Sequence, residues 1–359
     1  MSFTVVDVAA SNPYPVIVGD DAVAVLADDE FVRLRNRMVL IIHNPDVRDQ
    51  AERVASHIAG RARRVTTWQV PSGEAAKNAQ VAVDAWTHLA EAGFDRGGLI
   101  IAVGGGATTD AAGFVAATWM RGVDIVHVPT TTAGMVDAAI GGKTAIDIPA
   151  GKNLVGAFHD PRAVICDLNF LAGLPEVEFR SGLAEVLKCG FIGATSILAG
   201  AEADPKSLYE RPKDAFLAAI NIKANVVAMD ARENSLSIGR ELLNYGHTFG
   251  HALETLSGYT VRHGEAVAIG MVFAAEVSHR LGRCSADFVE RHRRVISSVG
   301  LPIVHRDIAF DDALAVMARD KKVRDGKLRM ILLAGPGDAF AATDIDRSIL
   351  LSAFAATRG

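Results

Sequence analysis

Along the first half of the chain, short apolar runs alternate with segments of helical period. Met38–Ile42 (MVLII), Val65–Val70, Gly98–Val103 (GLIIAV), Ile125–Val128 and Val164–Cys166 read as buried strands. The second run stops at Pro71, the third at Gly104-Gly105-Gly106 and the fourth at Pro129. Gln80–Ala92 and Thr108–Thr118 carry helical patterns between them. Alternation of this kind predicts a parallel sheet covered by helices. After Pro175 the pattern changes. Pro175–Ile192, Lys213–Met229, Glu241–Leu256, Glu265–Leu281 and Ala286–Val299 recur at helical period, and only Leu328–Leu333 reads as extended. The expectation is an α/β, Rossmann-like N-terminal domain over residues 1–174, then a mostly α-helical domain over 175–359.

Composition narrows the classes. Half of the 359 residues are hydrophobic and 22% are charged, an ordinary mix for large cores. Thirty-three glycines in all imply many tight turns and close backbone approaches. A net charge of −5 gives no global attraction to nucleic acid or to an anionic membrane, so any anion site is built locally. Cys166, Cys189 and Cys284 are too few and too scattered for a disulfide framework or a Cys-rich zinc site, which fits a reducing cytoplasm. No basic segment followed by an apolar core opens the chain, and no apolar run reaches the ~18–20 residues that span a bilayer.

Three stretches carry candidate chemistry. In IIAVGGGATTDAAG, a buried strand ends at glycines and a helix starts at Thr108 or Thr109. Backbone N–H groups there can cradle a phosphate, although a plain tight turn looks the same and the usual GxGxxG order is absent. Asp110 either meets a ribose or nicotinamide group or merely favours the helix start. In GRELLNYGHTFGHALETL, a continuous helix puts Arg240, Asn244, His247 and His251 on one stripe. Two histidines four residues apart can share a metal or a ligand; a solvated pair is the bland alternative. His263 follows just before the next helix, and Glu185 is the best carboxylate to complete a mixed His/carboxylate metal site. Glu185 and Lys188 also read as an ordinary helix-surface ion pair, as do Glu74 and Lys77. Lys143 and Lys152 each follow a glycine in a Thr/Ala/Gly-rich stretch that reads as turns, where lysines can reach phosphates.

With PSGEAAK, GGGATTDAAGFVAATWMRG, PTTTAGMVDAAIGGKTAIDIPAGKNLVGAF, GLAEVLK, LLNYGHTFGHALE, HGEAVAIGM and DKK all present, the chain resembles the 3-dehydroquinate synthase family of sugar phosphate cyclases from about Tyr14 to Leu333. The resemblance implies a zinc (or cobalt) site of Glu185, His247 and His263, with His251 an active-site histidine outside it. It implies NAD contacts from Asn44, Ser72, Gly73, Glu74, Lys77, Gly105, Gly106, Asp110, Thr130, Thr131, Lys143 and Lys152. Around a small anionic sugar phosphate it implies Arg121, Asp137, Lys143, Lys188, Lys223, Arg240, Asn244, His251 and one of Lys321 or Lys322, of which Lys322 is chosen. It also implies a cytoplasmic homodimer acting on the route to aromatic amino acids. The chain departs from the family pattern at Asp137-Ala138-Ala139, where Asp-Ser-Ser is frequent, and in a Lys223–Arg240 stretch about three residues longer than the common form. Rival readings are a sister cyclase acting on an amino analogue, a metal-dependent polyol dehydrogenase, and a non-catalytic NAD-binding protein.

Overall fold

In the computed structural model, residues 3–232, 238–319 and 328–359 are described. The chain divides into two compact units, Met1–Pro175 with Lys223–Arg232, and Glu176–Ile222 with Glu233–Gly359. A segment from the second half of the sequence therefore counts with the first unit, which a single cut in the chain does not convey.

The first unit contains β1 (Phe3–Val8), β2 (Tyr14–Gly19), β3 (Met38–His43), α1 (Arg48–Ile58), β4 (Arg64–Gln69), α2 (Ala79–Glu91), β5 (Leu99–Gly104), α3 (Gly106–Thr118), β6 (Asp124–Pro129), β7 (Lys143–Ile148), β8 (Gly151–Phe158) and β9 (Ala163–Asp167). Seven strands form one sheet in the order β1-β2-β9-β6-β5-β3-β4. All neighbours are parallel except β1, which runs antiparallel to β2 at the edge. β3 and β5 are buried along their whole length, with Ile41 opposite Ile101. That explains their uninterrupted apolar sequences: a parallel strand covered on both faces has no polar side to show. One face packs Leu40, Ile42, Ile100 and Ala102 against Ala85 and Leu89 of α2 and Ala112 and Val115 of α3. The strand order reverses between β3 and β5, and in open α/β sheets ligands bind beyond the carboxyl ends of strands at such a reversal.

The second unit contains α4 (Glu176–Ile192), α5 (Thr195–Ala203), α6 (Ser207–Glu210), the first turns of α7 (Lys213–Met229), α8 (His247–Leu256), α9 (His263–Arg280), α10 (Ala286–Ser298), α11 (Phe310–Arg319), the hairpin β10 (Arg329–Gly335) and β11 (Asp338–Thr343), and α12 (Arg347–Ala356). From Ala266 to Ser278 every residue of α9 is buried. A helix apolar nearly all round belongs at the centre of its unit; its buried Glu276 is paired with Arg280 and Arg293, and α4, α8, α10, α12 and β10 pack around it.

The fold class is the expected one, with three local corrections. Helix α3 starts at Gly106, two residues before Thr108, with Gly105 as its extended cap. Lys143 and Lys152 lie in the strands of the β7–β8 hairpin and not in turns. The helix read through Glu241–Leu256 is broken. Gly239–Asn244 is a 3₁₀ segment, and Gly246 sits at φ +78° before α8 begins. A Cβ at Gly246 would lie 2.9 Å from the Val267 carbonyl oxygen and 2.9 Å from the Met271 nitrogen. The backbone of α9 thus occupies the space that a side chain would need, and glycine alone meets both demands.

Candidate metal centre and nucleotide site

Beyond the carboxyl ends of β3 and β5, the first unit gathers most of the proposed dinucleotide residues. Asn44 directly follows β3; it is buried, and its Oδ1 has no hydrogen-bond partner among the described residues. Such an orphan suits a ligand donor, since an unmet buried acceptor costs ~1–3 kcal/mol. Gly105 caps α3 in extended conformation, so the first-turn N–H groups of Gly106, Ala107 and Thr108 point outward as a ready anion site. A Cβ at Gly105 would stand 3.1 Å from Thr131 Cγ2, and the Thr130 N–H donates to the Gly104 carbonyl at 3.0 Å. This arrangement fits the diphosphate of a dinucleotide.

Lys77 closes a 3₁₀ turn, Gly73–Lys77, that follows Ser72. Its buried ammonium donates to Asp110 at 2.8 Å and also contacts the Asn153 side chain, while Glu74 pairs with Lys152 at 2.8 Å. The ion pair expected between Glu74 and Lys77 is therefore replaced by two longer-range pairs. Burial pushes the Asp110 carboxyl up to about 6 against the pull of Lys77. Burial lowers the pKa of Lys77, but Asp110 and Glu74 outweigh it and raise the value overall. Asn153, at φ +56° in the hairpin, joins this cluster and was missed in the sequence; its place directly after Lys152 was the available signal.

Lys223 returns to the first unit and pairs with Asp137, donating also to the Asp137 carbonyl at 2.6 Å. Arg121 is exposed past the C-terminal end of α3, and that 13-residue helix separates it by ~20 Å from Gly106. Lys143 is exposed at the start of β7. Lys321 and Lys322 lie outside the described residues.

The second unit assembles the metal candidates from three helices. Glu185 lies mid-way along α4, His247 opens α8 and His263 opens α9. Their donor atoms all lie within 4.8 Å of one another. Glu185 Oε1 is 3.4 Å from His247 Nε2 and 3.3 Å from His263 Nε2. Those separations match the ~3.4 Å edge of a tetrahedron with ~2.1 Å metal–ligand bonds. Both Glu185 oxygens are buried, Oε1 facing the two histidines and Oε2 facing Lys188. Lys188, one turn on, pairs with Glu185 in the interior. Burial opposes ionisation of Glu185, yet Lys188 and His247 hold its carboxyl well below the usual range.

Both histidines are oriented by a second contact. His247 Nδ1 lies 3.1 Å from the Tyr245 carbonyl, and His263 Nδ1 lies 3.1 Å from Glu254 Oε2. Each Nε2 is thereby turned toward Glu185, as outer partners commonly orient metal-ligating imidazoles. Burial, with Lys188 nearby, pulls His247 down to about 3 and leaves it neutral. Burial also works against the charge on His263, but hydrogen bonds to Glu185 and Glu254 overcome it and hold the ring at about 10. A divalent cation would displace that proton on binding. The chemistry and spacing of the donor set fit zinc or cobalt.

His251 stands beside the trio, with ring centroids 5.4 Å from His247 and 6.2 Å from His263. It groups instead with Glu254 and His263. Arg240 is buried at the start of the preceding 3₁₀ segment, and Asn244 ends it. The continuous helix expected to carry Arg240, Asn244, His247 and His251 on one stripe is thus broken at Gly246, and of the four only His247 and His251 share a helix. Sequence reasoning missed Glu254; its spacing, three residues past His251 and seven past His247, was the available signal.

Residues 67–181 match the family model described as 3-dehydroquinate synthase N-terminal, and residues 182–323 match 3-dehydroquinate synthase C-terminal. The chain is 47% identical over 346 residues to the 3-dehydroquinate synthase of Thermobifida fusca (strain YX), covering 92% of each. It is 44% identical over 357 residues to that of Corynebacterium jeikeium (strain K411), covering 98% of this chain and 96% of the relative. Among solved structures, ValA (2-epi-5-epi-valiolone synthase) from Streptomyces hygroscopicus subsp. jinggangensis 5008, with NAD⁺ and Zn²⁺ bound, aligns with a TM-score of 0.86 and 28% identity over 96% of each chain. Both halves are matched in order, and relatives at this identity run along more than nine-tenths of the sequence, so the chain belongs to the 3-dehydroquinate synthase family.

Proposed function

We propose that this chain converts 3-deoxy-D-arabino-heptulosonate 7-phosphate to 3-dehydroquinate and inorganic phosphate, with NAD and a divalent metal, Zn²⁺ or Co²⁺, as cofactors. The observation that carries the reading is the convergence of Glu185, His247 and His263 on one point in a chain of this family. When bound, the metal supplies Lewis acidity at a substrate hydroxyl, and NAD supplies a hydride acceptor and donor that leaves each turnover unchanged.

The chain's own residues do the rest. Lys188 keeps Glu185 anionic. Asn44, Ser72, Gly73, Glu74, Lys77, Gly105, Gly106, Asp110, Thr130, Thr131, Lys143 and Lys152 bind the dinucleotide in the 1–174 domain. Lys143, Lys188, Lys223, Arg121, Arg240 and Lys322 offset the charge of the substrate's carboxylate and phosphate, and Asp137 and Asn244 orient it. Arg240, planar and permanently charged, takes the carboxylate. His251, beside the metal trio, holds or returns a proton during phosphate release and ring closure. The enzyme works as a cytoplasmic homodimer, with neither nucleic acid nor membrane as partner. Its three scattered free cysteines suit that compartment, and no single helix among the described residues is long and apolar enough to cross a membrane.

Product identification tests the reading. With the acidic heptulosonate phosphate and trace NAD⁺, purified protein should release phosphate far in excess of NAD⁺ and form 3-dehydroquinate. Stoichiometric NADH without phosphate would identify a polyol dehydrogenase instead. Turnover confined to the amino analogue would identify a sister cyclase.

A further inference from the structure

Tyr245 and His292 form a fully buried pair in the second unit that the proposed chemistry does not use. The Tyr245 hydroxyl lies 2.8 Å from His292 Nε2 and 3.3 Å from the Met271 carbonyl. His292 Nδ1 lies 2.8 Å from the Phe288 carbonyl. A carbonyl can only accept, so the imidazole proton sits on Nδ1, and Nε2 accepts from the tyrosine hydroxyl. Phe191 stacks on the imidazole with centroids 3.7 Å apart at 8°, and Phe288 meets it edge-on at 4.6 Å. Burial pulls this ring down to about 3, so it stays neutral and keeps one tautomer.

The backbone of Tyr245 faces the metal ligands. Its carbonyl receives the His247 Nδ1 proton at 3.1 Å, and Gly246 follows at φ +78°, packed against Val267 and Met271 of α9. The reversal at Tyr245-Gly246 therefore has little room to shift, and the hydroxyl ties its outer end to α10.

We propose that Tyr245 and His292 are positioning residues for the metal. They hold the Tyr245 carbonyl on His247 Nδ1 and so keep the lone pair of His247 Nε2 aimed at the point shared with Glu185. The inference rests on the metal reading above. If the imidazole were free to switch tautomer, it would present an N–H to the cation for part of the time.

Tyr245→Phe deletes only the hydroxyl and keeps the ring. Zn²⁺ affinity, measured by chelator competition, should weaken about tenfold, the lower range for an outer partner of a ligand. Val295→Ala serves as the control: Val295 is buried on α10, three residues past His292, and its truncation should lower the melting temperature without moving Zn²⁺ affinity. Wild-type protein that binds no divalent metal would remove the metal reading itself. Wild-type binding with Tyr245→Phe affinity unchanged would overturn the positioning role alone. If Tyr245→Phe does not fold, long-range ¹H–¹⁵N spectra of ¹⁵N-histidine-labelled, metal-free wild type decide. Nδ1–H tautomers at both His247 and His292 support the proposal, and an Nε2–H or doubly protonated ring at either overturns it.

Discussion

Gly270→Ala tests whether backbone packing of α8 on α9 governs the metal centre. Gly270 lies inside α9, where intrinsic propensity favours alanine by ~0.8–1 kcal/mol. The structure predicts the opposite sign. A Cβ at Gly270 would fall 1.9 Å from the Gly246 carbonyl oxygen, 2.9 Å from its carbon and 3.0 Å from the Gly250 nitrogen. All three are backbone atoms, so no side chain can swing aside and the start of α8 must retreat by ~1 Å or more. Overpacking of this kind costs ~1–3 kcal/mol and occasionally more. Taking the upper end and subtracting the propensity gain leaves a loss of ~2 kcal/mol. At ~2–4 °C per kcal/mol for a unit of this size, the melting temperature should fall by about 4–8 °C. Metal content should fall with it, because His247 adjoins Gly246. Gly200→Ala in α5 is the matched control. Nothing lies within 4 Å of its Cβ position, so propensity alone should raise stability by up to ~1 kcal/mol. Calorimetry and metal analysis read both variants. If Gly270→Ala melts at or above wild type and keeps its metal, the close-approach argument is wrong.

Chelation should abolish turnover, and Zn²⁺ or Co²⁺ should restore it; His263→Ala that keeps both metal and activity would remove His263 from the ligand set. Arg240→Lys should lower kcat/KM by roughly 100-fold through misplacement of the substrate carboxylate, with melting temperature and metal content nearly unchanged; unaltered kinetics would take Arg240 out of the site. Burial holds His127 and His292 near about 3, whereas in the unfolded chain they titrate near ~6.5. As pH falls from about 6.5 toward 3 the unfolded state binds protons that the folded state refuses, so stability drops by ~1.4 kcal/mol per pH unit for each histidine. Urea midpoints that stay flat between pH 6.5 and 5 would contradict this; His127→Leu should make the acid slope of the first unit shallower by about one proton.

The parallel sheet was legible because strands buried on both faces must be continuously apolar. MVLII and GLIIAV satisfy that rule, and the structure places them side by side as β3 and β5. The edge elements were less so. β1 pairs through six residues at the rim with three half-exposed or exposed positions at its start, and it carries no such run. The β7–β8 hairpin reads as turn-rich because β8 is mostly exposed, and its register comes from pairing with β7 and not from an apolar face. In the second unit, α5, α11, α12 and β11 went unread because each is short. A segment of six to ten residues gives periodicity too few repeats to stand out.

The site shows the same division more sharply. Spacing alone treats His247 and His251 as equivalents on one helix, and nothing in a glycine's side chain reveals that Gly246 takes a positive φ. The structure separates them. His247 becomes the first residue of α8, where the reversal at Tyr245-Gly246 offers a carbonyl to its Nδ1 and turns Nε2 toward Glu185. His251 lies one turn along, grouped with Glu254 and His263. His263 then gains its orientation from Glu254, a carboxylate that looks in sequence like any solvated helix charge. What distinguishes these imidazoles from one another is therefore the backbone path and the outer partner of each. Those arise from the close approach of α8 to α9 through Gly246 and Gly270, a contact between residues 24 positions apart that no local period encodes.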